Sequence, residues 1–582
     1  MDKSDYFNKF LNILIRNQKI VVILLLIINI SLISFSAYDE SVNWDEVCYL
    51  GMGKYIFETG NFKTDGSISH APFSYYINSL FLYPLEIPNE IISKQSCWDR
   101  GPEILFRSKN PIRLLFLIRF PLILLSALLG LYVFKWSKKL YGVKAALFAL
   151  FVYSFSPNII STAMVALTDF SVVCFSFISM YYFWEFCKKS TAWNLIIVGI
   201  FTGIALISKI TALFLIPIYI ILGLIYMKRI FSERIINLLL IFLIAFFIIF
   251  ISYGARFDTI SNSIPDHYTD RAYQEIRSKI NNDNAKDFVF FVIEKIPIPA
   301  PTYFIVIGDV VFHSSRGLNG YLFGEIYEPS NKPFSYFFWV LLLKTPIPTM
   351  IFLILSLILF KNIERKKFIN EFFLIFPMFF FFVPFIFNNV SYDLRHILTI
   401  FPFIFVFLSK VINIPLKNKI FFRSIIIILC VWYVISSIMV YPHYISYFNE
   451  FVPSGEGYNY LLGTNIDAGQ DLIRLNKYLK QHKIDKINFS FHGGIDPSYY
   501  EIDYDYMPTV CFTPANKYYK PRAKNCQEDF IEDCAKRKGM IAISVTNLKG
   551  RFLKNINCFN WLKEYEPIAK IGNSIFVYNI TK

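Results

Sequence analysis

LIRFPLILLSALLGLYVFKWSKKLYGVKAALFAL, residues 117–150, decides the fold. An apolar run ends at Lys135, Lys138 and Lys139, turns at Tyr141 and Gly142, and resumes as a second apolar run. A helix needs ~20 apolar residues to cross the hydrocarbon core of a bilayer. Lys and Arg gathered in short turns hold those turns on the cytoplasmic side. The stretch therefore reads as two membrane spans joined by a cytoplasmic turn.

Outward from it, similar runs recur near 19–37, 112–134, 143–160, 167–186, 193–208, 210–227, 235–253, 335–360, 370–388, 394–410 and 419–438. They predict a polytopic α-helical protein with about eleven spans. Bulk composition agrees: the chain is 55% hydrophobic, holds 63 Phe, and has only 17% charged residues. Lys3, Lys9, Arg16 and Lys19 precede the first run, and every second connection is basic: KWSKKLYGVK, CKKS, MKRIFSERI, KNIERKK and SKVINIPLKNK. The positive-inside rule then puts the N-terminus in the cytoplasm and the C-terminus outside. Three long segments fall on the outer face: about 38–111, 254–334 and 439–582. Amphipathic stretches in the first two, such as EVCYLGMGKYIFE, are expected to lie along the interface as helices.

The sequence divides into a membrane domain, 1–438, and an extracytoplasmic region, 439–582. In the latter, DAGQDLIRLNKYLKQH has helical periodicity with Leu472, Leu475 and Leu479 on one side. KINFSFH, MIAISVT and NSIFVYNI read as strands, so a small α/β domain is expected. The net charge of +15 does not indicate nucleic acid, because the basic residues sit in the turns between spans. The nine cysteines show no zinc spacing and no CxxC. Outside the cytoplasm, Cys511, Cys526, Cys534 and Cys558 would be free to form disulfides.

An ionisable side chain within a span costs roughly 2.5–3.5 kcal/mol, so those present need a reason. Asp45 and Glu46 follow the first span, Arg119 lies in the second, and Asp169 is at the turn between the third and fourth. Lys209 is at the turn between the fifth and sixth spans, Lys344 lies within the eighth, and Arg395 and His396 open the tenth. The assigned topology puts all of them in one outer layer. Carboxylates can take a proton from a hydroxyl, and cations can stabilise charge on a departing phosphate. Each residue also has a plainer reading. Asp45 can cap the helix beginning at Glu46, Asp169 can be a solvated turn residue, and Arg119 and Lys344 can snorkel to headgroups. Neighbours on a helix point about 100° apart, so Asp45 and Glu46 cannot both face one substrate.

Several stretches resemble the family-39 glycosyltransferases, which include protein O-mannosyltransferases and lipid A aminoarabinose transferases of the GT-C fold. NWDEVCYLGMGKYIFETGNF is similar to the acidic pair after that family's first span, and SHAPFSYYI to its HPPL-x-Y element, with Ala71 and Phe73 departing. LIRFPLILLSALLGLYVFKWSKKLYGVKAALFAL, SPNIISTAMVALTDF and GIALISKITALFLIPI resemble its second span, second outer loop and fifth-to-sixth turn. GYLFGEIYEPSNKPFSYFFWVLLLKTPIP, YPHYISYFNEFVPSGEGYNYLLGTNIDAGQDLIRLNKYL and IAKIGNSIFVYNI resemble the bacterial branch.

That resemblance implies an inverting transfer of a sugar from a polyprenyl-phosphate donor to a glycan, lipid or protein acceptor outside the plasma (inner) membrane. It casts Asp45 as general base and Asp169 as its helper, and Glu46, Tyr49, His70, Arg119, Lys209, Lys344 and Arg395 as substrate-binding residues. The lipid phosphate would fall to Arg119, Lys209 and Arg395, with Lys344 beside them. No cofactor is required by the sequence, no metal-ligand set appears, and some GT-C enzymes use a divalent metal. The alternative is a transporter or flippase of lipid-linked sugars. Such carriers often show inverted repeats, and none is visible here.

Overall fold

The computed structural model describes residues 12–64, 66, 70–94, 96–360, 365–413, 419–509 and 534–581. Lys3, Lys9, Cys511, Cys526 and the basic turns at 361–364 and 414–418 lie outside the described residues.

Each of the expected spans falls on a helix or a helix pair. Among the described residues seven helices are long and apolar enough to cross a membrane: Gln18–Tyr38, Pro111–Tyr141, Thr168–Lys188, Phe231–Ser252, Phe368–Phe387, Leu394–Asn413 and Phe421–Met439. Ala192–Ser208 and Ile210–Tyr226 are shorter apolar helices. Two further segments are bent. Val143–Ser154 and Pro157–Ala163 meet at 58°, and Tyr336–Lys344 and Ile347–Ile358 meet at 111°. Proline causes both breaks: Pro157 opens a new helix capped by Ser156, and the Thr345-Pro346 step ends the first half of the other pair. Lys344 thus sits at a sharp corner rather than inside a continuous helix.

Lipid tails are as apolar as leucine, so helices in a bilayer adhere through close packing and shared hydrogen bonds. Gly199 and Gly203 provide the first. A Cβ at either would lie 2.7 Å from Ile244 Cβ or 2.6 Å from Ile248 Cβ of the neighbouring helix. The second is met by Ser126, which bonds Asn29 at 2.7 Å and Tyr153 at 2.8 Å. Thr168–Lys188 runs through the centre, buried on nearly every side.

At the end of the bundle where Asp169 lies, the helix Glu46–Thr59 packs on Cys97–Phe106. It was expected along the interface, but its first half is buried. Glycines allow this closeness: a Cβ at Gly51 would lie 2.4 Å from the Cys97 carbonyl oxygen, and one at Gly101 2.0 Å from that of Val47. A disulfide joins Cys48 to Cys97 across the same contact. In the second long loop the helix Asp283–Lys295 leaves Phe288 and Phe291 exposed, as an interfacial helix would.

The C-terminal region forms a mixed five-stranded sheet of β1 (Ile487–Ser490), β2 (Tyr504–Tyr506), β3 (Gly539–Ser544), β4 (Ala569–Ile571) and β5 (Ile575–Ile580), in the order β2-β1-β3-β5-β4. Three strands were expected; β2 and β4, of three residues each, are too short to announce themselves. The helix Leu472–Gln481 buries Leu472, Leu475 and Leu479 as its periodicity requires. A second disulfide joins Cys534 to Cys558.

Candidate active site

The tenth span opens with a 3₁₀ turn, Leu394–Ile400, instead of an α-helical one. That turn brings Arg395 to the centre of three carboxylates from separate elements. Its Nε lies 3.1 Å from Asp393 Oδ1, its Nη2 3.3 Å from Asp45 Oδ2, and its Nη1 4.0 Å from Asp169 Oδ2. Asp169, in the first turn of the central helix, is held by the Lys209 ammonium at 2.6 Å. Lys209 also lies 3.3 Å from His396 Nδ1, and the His396 ring stacks on Tyr392 with centroids 4.0 Å apart.

The three acids differ in access. The Asp45 side chain is 32% exposed, that of Asp169 5% and that of Asp393 4%. Asp45 is the N-cap residue of Glu46–Thr59 but makes no capping hydrogen bond. Its carboxylate turns instead toward Arg395, into the open part of the site. Tyr49, one turn further on, packs against His70 with centroids 5.1 Å apart. Burial, reinforced by Asp45 and Asp169, pushes the Tyr49 hydroxyl well above its usual range. Burial also holds His70 down to about 4, so it stays neutral. Asp393 is raised by burial, with Arg395 opposing.

Two sequence expectations need correction. Arg119 does not face a phosphate. Its Nη1 donates to the Ala37 and Glu40 carbonyls at 2.6 and 3.0 Å, its Nη2 to Ser41 O and Glu46 Oε2 at 2.9 and 2.7 Å, and its Nε to Glu46 Oε1 at 2.9 Å. All five N–H groups are spent, and the residue has no solvent exposure. Glu46 is not available to substrate either. Besides Arg119 it accepts the main-chain N–H groups of Asn43 and Ala166 at 2.7 and 2.5 Å. The pair is an internal clamp that fixes the loop carrying Asp45.

Lys344 neither snorkels nor pairs with a carboxylate among the described residues. Its ammonium donates to the Ile445 and Asn465 carbonyls at 3.0 and 2.6 Å. It lines a pocket with Asn158, Thr162, Asp393, Arg395 and Thr464. The structure thus brings Asp45, Asp169, Tyr49, His70, Lys209 and Arg395 into one cluster, sets Lys344 beside it, and seals off Glu46 and Arg119. Asp393 and Thr464 are additions. The sequence hint for Asp393 was its place two residues before Arg395 in SYDLRH; nothing in the sequence marks Thr464. Among the described residues no group of three or more His, Cys, Asp or Glu is placed to hold a metal ion.

Residues 113–253 match the family described as dolichyl-phosphate-mannose-protein mannosyltransferase, a stretch that includes Arg119, Asp169 and Lys209. The chain resembles the family-39 glycosyltransferases and shares their GT-C fold. In fold this GT-C chain is similar to the S. cerevisiae protein O-mannosyltransferase Pmt1–Pmt2 complex bound to the sugar donor, at 11% identity and a TM-score of 0.50 over 73% of this chain and 90% of that one. It is also similar to ArnT from Cupriavidus metallidurans bound to undecaprenyl phosphate, at 10% identity and a TM-score of 0.46 over 96% and 97%. A third likeness is to the oligosaccharyltransferase AglB from Archaeoglobus fulgidus in complex with an inhibitory peptide and a dolichol-phosphate, at 13% identity and a TM-score of 0.42 over 77% and 60%. No curated protein matches the sequence.

Proposed function

We propose that the chain is an inverting glycosyltransferase that moves a sugar from a polyprenyl-phosphate donor to an acceptor hydroxyl on the extracytoplasmic face. One observation carries this reading: of the three acids around Arg395, Asp45 alone is substantially open. It is the carboxylate an acceptor can reach.

In the proposed reaction, Asp45 takes the proton of the acceptor hydroxyl. The acceptor oxygen attacks the anomeric carbon from the side opposite the phosphate, and the C–O bond to the phosphate breaks with its electron pair. Polyprenyl phosphate leaves, and the anomeric configuration inverts. Arg395, which also contacts Asp45, lines one pocket with Lys344, and the two can stabilise the growing negative charge without reorganising. Asp169, fixed by Lys209, orients Arg395 and the sugar rather than taking a proton. The family match, at residues 113–253, supports a mannosyl- or related sugar transfer.

Two disulfides among the described residues support the outer placement. Cys48–Cys97 and Cys534–Cys558 both lie outside the spans, whereas the free cysteines Cys174, Cys187 and Cys430 lie within them. Structural disulfides persist in oxidising compartments.

Asp45→Asn is the test. Purified in detergent and given a labelled polyprenyl-phosphate sugar, the variant should lose about 10²–10⁴-fold in transfer rate while binding donor as before. Unchanged turnover would remove Asp45 from the role of base. A flippase would release no free polyprenyl phosphate from the wild-type reaction.

A further inference from the structure

The segment 464–470 belongs to the C-terminal region, yet Asp393 beside Arg395, Lys344 and the loop leading to Asp45 all lean on it. Thr464 donates its hydroxyl proton to Asp393 Oδ2. Asp393 in turn accepts from Arg395 Nε at 3.1 Å. The Asn465 carbonyl accepts from Lys344 Nζ at 2.6 Å, and its side-chain oxygen accepts from Leu394 N–H at 3.3 Å. Further along, the Ala468 and Gln470 carbonyls accept from Trp44 N–H and Ser41 N–H, each at 3.0 Å. Trp44 immediately precedes Asp45, and its ring packs on His492, just past β1, with centroids 4.9 Å apart.

A guanidinium surrounded by three acids has more than one resting place. Arg395 can present its outer edge to substrate only while Nε is tied down behind it. Asp393 is that tie, and Thr464 fixes the rotamer of Asp393. Without the hydroxyl, the carboxylate would be free to turn, and Arg395 would lose the tie that holds its present orientation between Asp45 and Asp169. The same segment holds the Lys344 ammonium at the pocket and the loop leading to Asp45.

We propose that the segment 464–470 is the positioning element of the transfer site, with Thr464 setting the direction of Arg395 through Asp393. This rests on the transferase reading, so the test carries one readout that does not. Full-length wild type, Thr464→Val and Thr464→Ser are compared in detergent. The first readout is modification of Arg395 by phenylglyoxal, followed by mass spectrometry. Thr464→Val should raise labelling several-fold, and Thr464→Ser should restore the wild-type level. The second is transfer from a polyprenyl-phosphate sugar. The Val variant should lose about tenfold or more in kcat, the size of one charge-assisted hydrogen bond, and the Ser variant should recover it.

Asp393→Asn is the second variant, and it decides the matter should Thr464→Val fail to fold. It should expose Arg395 in the same way. Wild-type labelling in Thr464→Val or Asp393→Asn overturns the proposal, as does a Ser variant that behaves like Val. If wild type transfers no sugar while labelling changes as described, the positioning role stands and the transferase reading falls.

Discussion

Asp45 and Glu46 are neighbours of one chemical type with opposite fates. The helical rotation between them sends one to Arg395 and the other into the protein against Arg119. The Glu46–Arg119 pair completes the end of the first span. A helix leaves its last four carbonyls without partners, and Arg119 satisfies that of Ala37 together with those of Glu40 and Ser41 beyond it. A buried arginine deprived of its acid is expensive, about 3–5 kcal/mol. Glu46→Gln should therefore lower the thermal unfolding midpoint sharply and lose activity along with folded protein. Asp45→Asn should keep the midpoint and lose activity alone. A Glu46→Gln protein as stable as wild type would refute the clamp. Sequence reading could not separate these roles. It ranks side chains by type and spacing, whereas the partners of Arg119 are mostly main-chain oxygens, which every residue has. The cluster around Arg395 was legible because its members break the apolar pattern. Thr464 was not, because a threonine in a polar loop breaks nothing.

The helix Glu46–Thr59 carries Asp45 at its start, so its placement sets that of the proposed base. Two devices fix it: the glycine contacts with Cys97–Phe106, and the disulfide from Cys48 to Cys97. The bonded cysteines are 49 residues apart, and closing a loop of that length stabilises the fold by about 4 kcal/mol through the unfolded chain. The double variant Cys48→Ala, Cys97→Ala should unfold at a lower temperature than wild type, and reduction of wild type should approach the same midpoint. Transfer should fall in parallel, because Cys48 lies one helical turn from Asp45. Activity and midpoint both unmoved by reduction would show the bond to be idle. The stretch was legible as a helix from its apolar content. Its burial was not, since the groove that takes it is made by Gly101 and Cys97, half a hundred residues away. The bent pair at Lys344 is similar: composition suggested a single span, and the prolines fold it back.

In sequence, the boundary near residue 438 looks like a change of solvent, from lipid to water. In the molecule the core does not stop there. One apolar cluster runs from Leu26 and Phe177 in the spans through Leu343 to Leu472, Phe489 and Val577 in the C-terminal region. The C-terminal region is thus part of the same packed body as the helices, as its hold on Arg395 and Lys344 requires. Asp467 sits at this junction with no solvent exposure. Its Oδ2 accepts from Thr546 N–H at 3.3 Å, and among the described residues its Oδ1 has no hydrogen-bond partner. Burial pushes its carboxyl up to about 7, with neighbouring Asp471 adding to the rise and the bonds from Thr546 and Gly469 opposing it. An unfolded aspartate titrates near ~3.9, so between the two values the folded chain binds the extra proton. That contribution is complete below pH ~4 and is lost as pH rises through about 7. The unfolding midpoint in detergent should therefore fall between about pH 4 and about pH 7 and level off above it. Asp467→Asn, which keeps the shape and has no proton to lose, should flatten that part of the curve. An unchanged slope in the variant would mean that Asp467 is ionised in the fold and that the junction does not respond to pH through this residue.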